Sequence, residues 1–439
     1  MQSNYENFER LFNAFSTEPY IVLKNINEPD IFDRKNLVLH LQFLGIRGTN
    51  FDIKLHRDNT CTFVHHLHKC LENFNRPIVC LDAKLFFSFC RKSGCNITPN
   101  ILNFFDLKWF TGYVENHANL ANLPEIHSIF CQFIKSDVNQ IYKKVYQQLI
   151  CSTVPQMENE CIIQDDTAIA LYPNYLSDFQ ENGRLNTCVP SSRNYNPHSM
   201  TYDIKRNLIL PNDDEVFVTF DFKALELYVL AYLCNDANLN TLLYNTCHPY
   251  EQIAQFVLDL SNFNNETTKE LGKKIFLPAI YGMSINKMSE SLACSTNEAI
   301  SYMNKMKKIF AKSFSYVEDY KEKVVNEGYC VDYFGRKKSF ATADAYKAMN
   351  FCVQSPAATI CFIKMNEISN IKSDKIRLLF SVHDCFVFAI KIKKIKESII
   401  SIKQKLEEEF SDLKGLRLFV DIKIGRNLAN LKNFDFSLT

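Results

Sequence analysis

A change from a strand pattern to a helix pattern lies near the middle of the chain. A largely apolar run, Val216–Phe220, predicts a short buried strand, and a carboxylate, Asp221, ends it. A helical pattern follows, with apolar or aromatic residues three and four positions apart between Leu225 and Tyr232. The sequence therefore predicts a buried strand, a carboxylate at its end, and a helix that leaves from the same point.

A second carboxylate stands in a matching context far downstream. The apolar segments Arg377–Phe380 and Phe386–Ile390 flank Asp384 and predict a hairpin with this residue at its tip. Carboxylates at strand ends supply the oxygen ligands that a hard divalent cation prefers. Two of them brought together would hold two metal ions about 4 Å apart, the arrangement used in phosphoryl and nucleotidyl transfer.

The patterns on either side predict further units. Residues 1–120 alternate between short apolar strands and helices and predict a separate α/β unit, and residues 121–165 are mainly helical. On a predicted helix over residues 267–284, four residues recur at intervals of four and form one stripe: Lys269, Lys273, Leu277 and Tyr281. Lysines on such a stripe either neutralise a phosphate ligand or form a solvated face beside the core. Pro278 removes a backbone donor and predicts a kink.

Composition excludes some classes of protein. The chain has 439 residues, 46% of them hydrophobic and 23% charged, which is ordinary for a globular protein of two or three domains. The net charge of +1 argues neither for nor against a nucleic-acid partner, because such binding needs local rather than global positive charge. No apolar run reaches the length of a membrane span, and the N-terminal residues do not have the layout of a signal peptide. We therefore expect no membrane partner.

The cysteines bear on the compartment. The chain has 16 cysteines at irregular spacings, without a C-x-x-C motif. We expect them to be reduced thiols in a cytoplasmic or nucleoid-like reducing compartment. The low glycine content and the frequent use of Asn, Lys, Ile and Phe suggest an AT-rich genome, and we therefore expect a virus-encoded protein that acts in a host cell.

Three segments, in order, resemble motifs of the family A DNA polymerases, the group of bacterial DNA polymerase I. DFKALELYVLA, which begins at Asp221, resembles the first palm motif, and VHDCFVF, which contains Asp384, resembles the third. Between them, KELGKKIFLPAIYGMS resembles the fingers helix that binds the incoming nucleotide. The resemblance covers residues 170–439.

The resemblance implies an α+β fold, a right-hand polymerase with palm, fingers and a reduced thumb, preceded by an α/β exonuclease-like domain. The segments implied are residues 1–120 for a degenerate exonuclease-like domain, 121–170 for the reduced thumb, 171–240 and 326–439 for the palm, and 241–325 for the fingers. The thumb segment is shorter than in the family. Low intrinsic processivity would follow, unless a processivity or replisome partner compensates.

The family pattern also implies roles for particular residues. Asp221 and Asp384 would hold two Mg²⁺ ions, and Lys273, with Lys269, would neutralise the triphosphate during catalysis. His248 falls close to a histidine that contacts the triphosphate, where an N-cap or solvent-exposed role is the alternative. Tyr281 would stack near the templating base pair.

Two more residues of the nucleotide site follow from the same pattern. Glu226, five residues after Asp221, would lie beneath the sugar of the incoming deoxynucleotide, where a ribose 2′-hydroxyl would collide with it. Leu277 stands where the family has Phe or Tyr, at the position that governs acceptance of dideoxynucleotides. Lys269 stands where the family usually has Arg, so charge is kept and bidentate geometry is lost.

The residues that match DNA-contacting positions of the family form a second group. Arg184 falls on the arginine that contacts the minor groove on the primer side, and His383 matches the histidine before the motif C aspartate. Asn350 and Gln354 are four residues apart, so they share a helix face and can donate to minor-groove acceptors. Structural hydrogen bonding of these buried amides is the competing hypothesis.

Two departures from the family's motif residues bear on the expected activities. Cys385 stands where the family has an acidic residue, an auxiliary group of the metal site. In the first domain the expected motif aspartate falls on Phe86 and no D-x-E motif stands at the first strand, and Asp82 and Asp106 are too few for a site of two metal ions. We therefore expect no 3′–5′ proofreading.

The sequence thus predicts a DNA-directed DNA polymerase of replication or repair, acting on primer-template DNA and dNTPs. One alternative is a single-subunit RNA polymerase of the phage type, which shares the palm motifs with H-D-S in place of H-D-E. Another is a catalytically impaired, polymerase-like DNA-binding scaffold. Glu226 favours DNA synthesis over RNA synthesis, and retention of both carboxylates with Lys273 and Tyr281 argues against the scaffold.

Overall fold

The structure is a computed structural model. The residues that it describes are 20–25, 38–45, 49–56, 60–62, 65, 77–95, 104–114, 120, 122–187, 194–246, 248–258, 265–371 and 373–436. The chain divides into two compact units. The first comprises Met1–Asp221, Cys361–Lys405 and Asp421–Thr439, and the second comprises Phe222–Ile360 and Leu406–Val420. The predicted division into five segments stays a prediction.

The first unit begins with a five-stranded mixed sheet. Its strands are β1 (Ile21–Asn25), β2 (Val38–Gly45), β3 (Asn50–His56), β4 (Ile78–Cys80) and β5 (Phe104–Asp106). The order across the sheet is β3-β2-β1-β4-β5, antiparallel as far as β1 and parallel beyond it. Strand β2 alternates between buried and half-buried residues, whereas β4 and β5 are buried throughout. The predicted strands are therefore present, and the likeness of this part to an exonuclease stays a prediction.

The carboxylates left in this region serve as helix caps. Helix α1 (Ala83–Lys92) begins after Asp82, whose side chain accepts a hydrogen bond from the Leu85 N–H. Helix α2 (Leu107–Tyr113) begins after Asp106, which accepts from the Trp109 N–H at 2.9 Å. Such caps satisfy backbone donors that the first helical turn leaves open. Phe86 is buried against Phe104, with ring centroids 5.7 Å apart.

One cysteine pair differs from the expectation of reduced thiols. Cys61 and Cys95 form a disulfide, with Cα atoms 5.4 Å apart across 34 residues of sequence. The pairing depends on how the segment after β3 folds beside the end of α1, which sequence spacing does not reveal. The other cysteines among the described residues are free thiols.

Residues 123–159 are helical, as predicted. They comprise α3 (Leu123–Lys135), α4 (Val138–Ile141), two π-helical turns (Tyr142–Tyr146 and Leu149–Thr153) and α5 (Val154–Asn159). Tyr142 and Tyr146 are fully buried and pack against Trp109 at centroid distances of 4.9 and 4.6 Å. This aromatic core joins the helical segment to α2.

Short strands connect this region to the centre of the chain. They are β6 (Ile162–Gln164), β7 (Ile169–Pro173), β8 (Tyr175–Phe179), β9 (Leu185–Thr187), β10 (Asn194–Tyr195) and β11 (Leu208–Ile209), with α6 (Tyr202–Arg206) before β11. The order β10-β7-β6-β11 makes one sheet, and β8 pairs with β9. Strand β12 (Glu215–Phe222) follows, with an almost continuous buried pattern.

The second unit is mainly helical. It contains α7 (Leu225–Cys234), α8 (Ala237–Asn245), α9 (Pro249–Leu258), α10 (Asn265–Ile280), α11 (Ile285–Leu292), α12 (Thr296–Ile309), α13 (Ala311–Glu327) and the hairpin β13 (Tyr329–Val331) and β14 (Lys337–Ser339). Helix α14 (Lys347–Ser369) begins in this unit and ends in the first. Helix α10 is the predicted stripe helix, and Tyr281 lies in the turn just after its end.

The central sheet completes the first unit. The chain returns through β15 (Ile376–Val382), β16 (Cys385–Lys391), α15 (Ile395–Glu407), β17 (Val420–Gly425) and β18 (Lys432–Asn433). The strand order is β15-β16-β12-β17-β18, with β15 antiparallel to β16 and β16 antiparallel to β12. The predicted hairpin is therefore present, beside the predicted strand. Within the described residues, no helix combines the length and apolar character that a membrane span requires.

Gly272 sets how closely α9 and α10 pack. A Cβ atom built on Gly272 would lie 1.9 Å from the Tyr250 carbonyl oxygen, a backbone atom that cannot rotate away. We expect Gly272→Ala to lower the free energy of unfolding by about 1–3 kcal/mol, because overpacking forces backbone shifts. Denaturant unfolding measures this change.

Gly112→Ala is the matched control for this prediction. Gly112 lies in α2, and a Cβ there would meet nothing within 4 Å. Ala is favoured over Gly inside a helix by roughly 0.5–1 kcal/mol, so this variant should unfold at equal or higher denaturant concentration. Equal stabilities of the two variants would contradict the close approach at Gly272.

Candidate active site

The register of the central sheet brings the two predicted carboxylates together. Asp221 in β12 pairs with Cys385 in β16, and Asp384 immediately precedes Cys385 in the turn from β15. Asp221 is exposed and Asp384 is half-buried. The register therefore brings two carboxylate residues to the same end of the sheet, where its central strands β12 and β16 are otherwise largely buried.

Charged side chains of both signs influence the pair and a neighbouring thiol. Burial raises the pKa of Asp384, and Arg184 opposes this increase. Burial and then Asp384 raise the pKa of the Cys361 thiol well above its usual range, and Asp221 adds to the effect. Both carboxylates thus act electrostatically on one buried thiol, and Arg184 offsets them in part. A cation beside the carboxylates would offset their negative charge and so reduce their effect on the pKa of this thiol.

The donor set fits Mg²⁺ better than a metal enclosed by protein ligands. Among the described residues, no group of three or more His, Cys, Asp or Glu side chains could hold an ion by itself. Mg²⁺ usually keeps several waters and is held by one or two carboxylates together with substrate phosphates. Asp221 and Asp384 supply that number of carboxylates.

The turn that carries Asp384 has an unusual backbone. His383 has a φ of +56°, in the left-handed region that few non-glycine residues occupy. Its exposed ring packs against His198, with centroids 4.7 Å apart and planes tilted by 40°. Two residues before His383, the backbone of Ser381 makes two hydrogen bonds with the Tyr175 hydroxyl. The Ser381 N–H donates to it at 3.0 Å, and the Ser381 carbonyl accepts from it at 3.1 Å. The turn is therefore held from both sides.

His198 is a site residue that the sequence did not indicate. Burial, followed by the nearby charges of His383 and Arg184, lowers its pKa from about 6.5 to about 4. It follows that His198 is neutral at physiological pH and packs as an uncharged ring. Positive charge in this cluster remains on Arg184. No local motif marks His198, since only the fold places it beside the turn.

In the second unit, Glu226 and Tyr281 are bonded to each other. The Tyr281 hydroxyl donates a hydrogen bond of 2.6 Å to Glu226 Oε2. Glu226 lies in the first turn of α7, which begins after Ala224 in a left-handed conformation. Burial, and then the Glu226 charge, raise the pKa of Tyr281. The contact fixes the direction of the Glu226 carboxylate.

The lysines of the stripe are available to a ligand to different degrees. Lys269 is half-buried, and Lys273 is exposed and lies 3.6 Å from Glu270, an exposed pair that contributes little stability. Leu277 is half-buried in the same helix. His248 is exposed, and its backbone N–H donates to Thr246.

Asn350 and Gln354 lie one turn apart in α14, both half-buried. The Asn350 Oδ1 atom is buried and has no hydrogen-bond partner among the described residues. A buried, unpaired amide oxygen is costly and is uncommon in a purely structural amide. This observation favours a ligand-binding role for Asn350 over structural hydrogen bonding.

Comparisons with known proteins agree with this arrangement. A family model described as DNA polymerase family A matches residues 107–430. DNA polymerase I of Lactococcus lactis subsp. lactis (strain IL1403) is 22% identical over 333 residues, which cover 72% of this chain and 36% of that protein. DNA polymerase theta of Caenorhabditis elegans is 27% identical over 262 residues, 57% of this chain and 16% of that protein. The chain therefore spans well under half the length of these relatives.

A solved structure shows the same fold. The POL domain of Pol1 from M. smegmatis, in complex with DNA primer-template and dNTP, superposes with a TM-score of 0.73 at 13% identity, covering 96% of this chain and 97% of that one. The fold is thus the mixed α+β fold of a right-hand polymerase domain. Since the family model matches well over half of the residues, the chain belongs to DNA polymerase family A.

The low pKa of His198 makes stability depend on pH. Between about pH 6.5 and about pH 4 the unfolded chain protonates this ring and the folded chain does not, so the free energy of unfolding should fall as the pH is lowered. His198→Gln cannot titrate and should lose less stability over that range. Denaturant unfolding of both proteins at several pH values measures the difference, and parallel curves would contradict the assignment.

Proposed function

We propose that this chain is a template-directed DNA polymerase that adds deoxynucleotides to a primer 3′ end in DNA replication or repair. The observation that carries the proposal is the pairing of β12 with β16, which sets Asp221 beside Asp384. The family match supports it, and the solved structure with the same fold contains primer-template and dNTP. We infer the same class of substrates for this chain.

The two carboxylates would bind two Mg²⁺ ions. When bound, these ions supply Lewis-acid activation of the primer 3′-hydroxyl and charge stabilisation at the pyrophosphate leaving group. Asp221, being exposed, remains accessible to substrate, and the half-buried Asp384 is held by its turn. Cys385 contributes no carboxylate, so the family's auxiliary acidic group is missing here.

The helical unit would bind the incoming nucleotide. Lys273 and Lys269 carry the positive charge for the triphosphate, with His248 as a further contact. Tyr281 and Leu277 would contact the base and sugar of the nucleotide. Selection of the paired nucleotide would then follow from closure of this unit on a substrate of the right shape.

Four residues would contribute polar contacts to primer-template DNA, namely Arg184, His383, Asn350 and Gln354. Amide side chains can donate to the minor-groove acceptors that all base pairs share, which suits a polymerase that must accept any sequence.

Proofreading is not part of the proposed function. Phe86 is buried among aromatic rings, and the carboxylates of Asp82 and Asp106 accept hydrogen bonds from helix N-termini. Side chains engaged in this way are poorly placed to hold metal ions. The two alternative functions, RNA synthesis and a non-catalytic scaffold, are not favoured, because the relatives named above are DNA polymerases.

The compartment and source stay predictions. Free thiols such as Cys80 and Cys151 agree with a reducing compartment, whereas the Cys61–Cys95 disulfide does not favour it. A virus-encoded origin rests on composition alone.

The carboxylates can be tested by neutral substitutions. Asp221→Asn or Asp384→Asn should lower primer extension by about 10³-fold or more, because each would lose several kcal/mol of metal-dependent transition-state stabilisation. Binding of primer-template, measured by fluorescence anisotropy, should change little, since phosphate contacts elsewhere dominate affinity.

Asp319→Asn is the matched control for the carboxylate variants. Asp319 is exposed on α13 and is distant in the sequence from both Asp221 and Asp384. This variant should extend primers like the unchanged protein. Near-normal extension by Asp221→Asn or Asp384→Asn would overturn the assignment of the metal ligands.

Sugar selection is a separate test. Glu226 is fixed by its hydrogen bond to Tyr281, so a ribose 2′-hydroxyl would meet a carboxylate that cannot swing away freely. We expect Glu226→Ala to reduce discrimination against ribonucleotides by roughly 10²–10³-fold, measured as the ratio of kcat/KM values for dNTP and rNTP. Tyr281→Phe should reduce discrimination less, because the carboxylate is retained.

The control for sugar selection is Glu322→Ala. Glu322 is exposed on α13, and its loss should leave the ratio unchanged. Equal use of both sugars by the unchanged protein, or an unaltered ratio in Glu226→Ala, would show that Glu226 does not exclude ribose.

A further inference from the structure

A chain of buried polar contacts connects helix α1 to the turn that carries Asp384. It runs from Lys84 to Glu158, then to Tyr175, and then to the backbone of Ser381 in β15. All four residues are buried. We propose that Tyr175 is a positioning residue for Asp384 and that Lys84 and Glu158 anchor it, so that the N-terminal part of the chain contributes to the metal site. The inference rests on the proposed polymerase function.

The contact between Tyr175 and Ser381 is made at the edge of the central sheet. Strand β15 is the last strand of that sheet, so one side of its backbone lacks a neighbouring strand. There the Tyr175 hydroxyl accepts from the Ser381 N–H at 3.0 Å and donates to the Ser381 carbonyl at 3.1 Å. One hydroxyl thus satisfies both backbone groups, in place of a further strand.

Tyr175 is itself held at both of its backbone polar atoms. Its N–H donates to Glu158 Oε1 at 2.9 Å, and its carbonyl accepts from Lys84 Nζ at 2.5 Å. Lys84 and Glu158 form an ion pair of 2.7 Å, with side-chain exposures of 8% and 0%. Ser88 donates to the second Glu158 oxygen.

This anchor is rigid because every member has a partner. Breaking a buried ion pair by removing one member leaves an unpaired charge in the interior and is strongly destabilising. Buried networks that are fully satisfied also tend to fix a single conformation. The position of Tyr175 is therefore defined by α1 and α5 rather than by its own short strand.

The position of Ser381 matters because this residue leads directly into the metal-binding turn. Ser381 lies two residues before His383, with its left-handed backbone, and three before Asp384. A shift of the end of β15 would pass directly into this tight turn and move the Asp384 carboxylate. Displacements of about 1 Å in a reacting group can lower rates by about 10²-fold.

Tyr195 provides a matched control for Tyr175, because it is also a buried tyrosine beside β15. It is buried, and its ring packs edge-on against Phe380, the residue before Ser381, at 5.5 Å. Its hydroxyl has no hydrogen-bond partner among the described residues. Tyr195→Phe therefore removes a tyrosine hydroxyl beside β15, as Tyr175→Phe does, but it breaks no hydrogen bond to the backbone of that strand.

The experiment compares Tyr175→Phe with Tyr195→Phe in the full chain, at a temperature where circular dichroism shows both to be folded. The first readout is Mn²⁺ binding in the absence of nucleotide, which is measured through the electron paramagnetic resonance signal of the free ion. The second is kcat for dNTP incorporation, with KM for the primer-template. We expect Tyr175→Phe to weaken Mn²⁺ binding and to lower kcat about tenfold at unchanged KM for primer-template, from the loss of two hydrogen bonds. Tyr195→Phe should stay within about twofold of the unchanged protein in both readouts.

The outcomes separate this inference from the proposed function. If the unchanged protein does not extend primers, the proposed function fails, and Mn²⁺ binding alone decides the role of Tyr175. If Tyr175→Phe matches Tyr195→Phe in Mn²⁺ affinity and kcat, the positioning role is wrong. If Tyr175→Phe does not fold, Ser88→Ala, which removes one hydrogen bond from Glu158, takes its place, and unchanged Mn²⁺ affinity and kcat in that variant overturn the inference.

Discussion

The antiparallel pairing of β12 with β16 is the constraint on which the candidate site depends. It sets Asp221 opposite Cys385 and therefore next to Asp384. A shift of one residue in this register would turn the side chains of one strand to the other face of the sheet. The buried patterns of both strands oppose such a shift, because the apolar residues of each would lose their places in the core. The two carboxylates of the candidate site are thus held in register by hydrophobic burial.

Positively charged side chains act on the residues around the two carboxylates. Arg184 acts on Asp384, His383 and Cys361, and Lys205 and Lys423 act on Cys385. Even with Arg184 nearby, the pKa of Asp384 stays above its ordinary value, because burial outweighs the attraction. Burial, rather than a shortage of positive charge, therefore dominates the electrostatics of Asp384.

The N-terminal part of the chain is linked to the candidate site through buried side chains. Asp82 and Asp106 cap helices, and Phe86 fills the core, so the carboxylates that a nuclease would need are absent or engaged. Helix α1 nevertheless supplies Lys84, whose ion pair with Glu158 fixes Tyr175. Residues far from Asp384 in the sequence can in this way support the geometry of its turn.

Local sequence determined the elements and most of the candidate chemistry. The apolar runs predicted β12 and the β15–β16 hairpin, and the spacing of four predicted the stripe on α10, because strand and helix periods are local properties. The contacts that orient these residues were decided by tertiary structure. Tyr281 bonds Glu226 across 55 residues, Tyr175 bonds Ser381 across 206, and Cys61 meets Cys95. Sequence patterns carry no record of such pairs, since sheet register and helix packing alone determine which distant side chains meet.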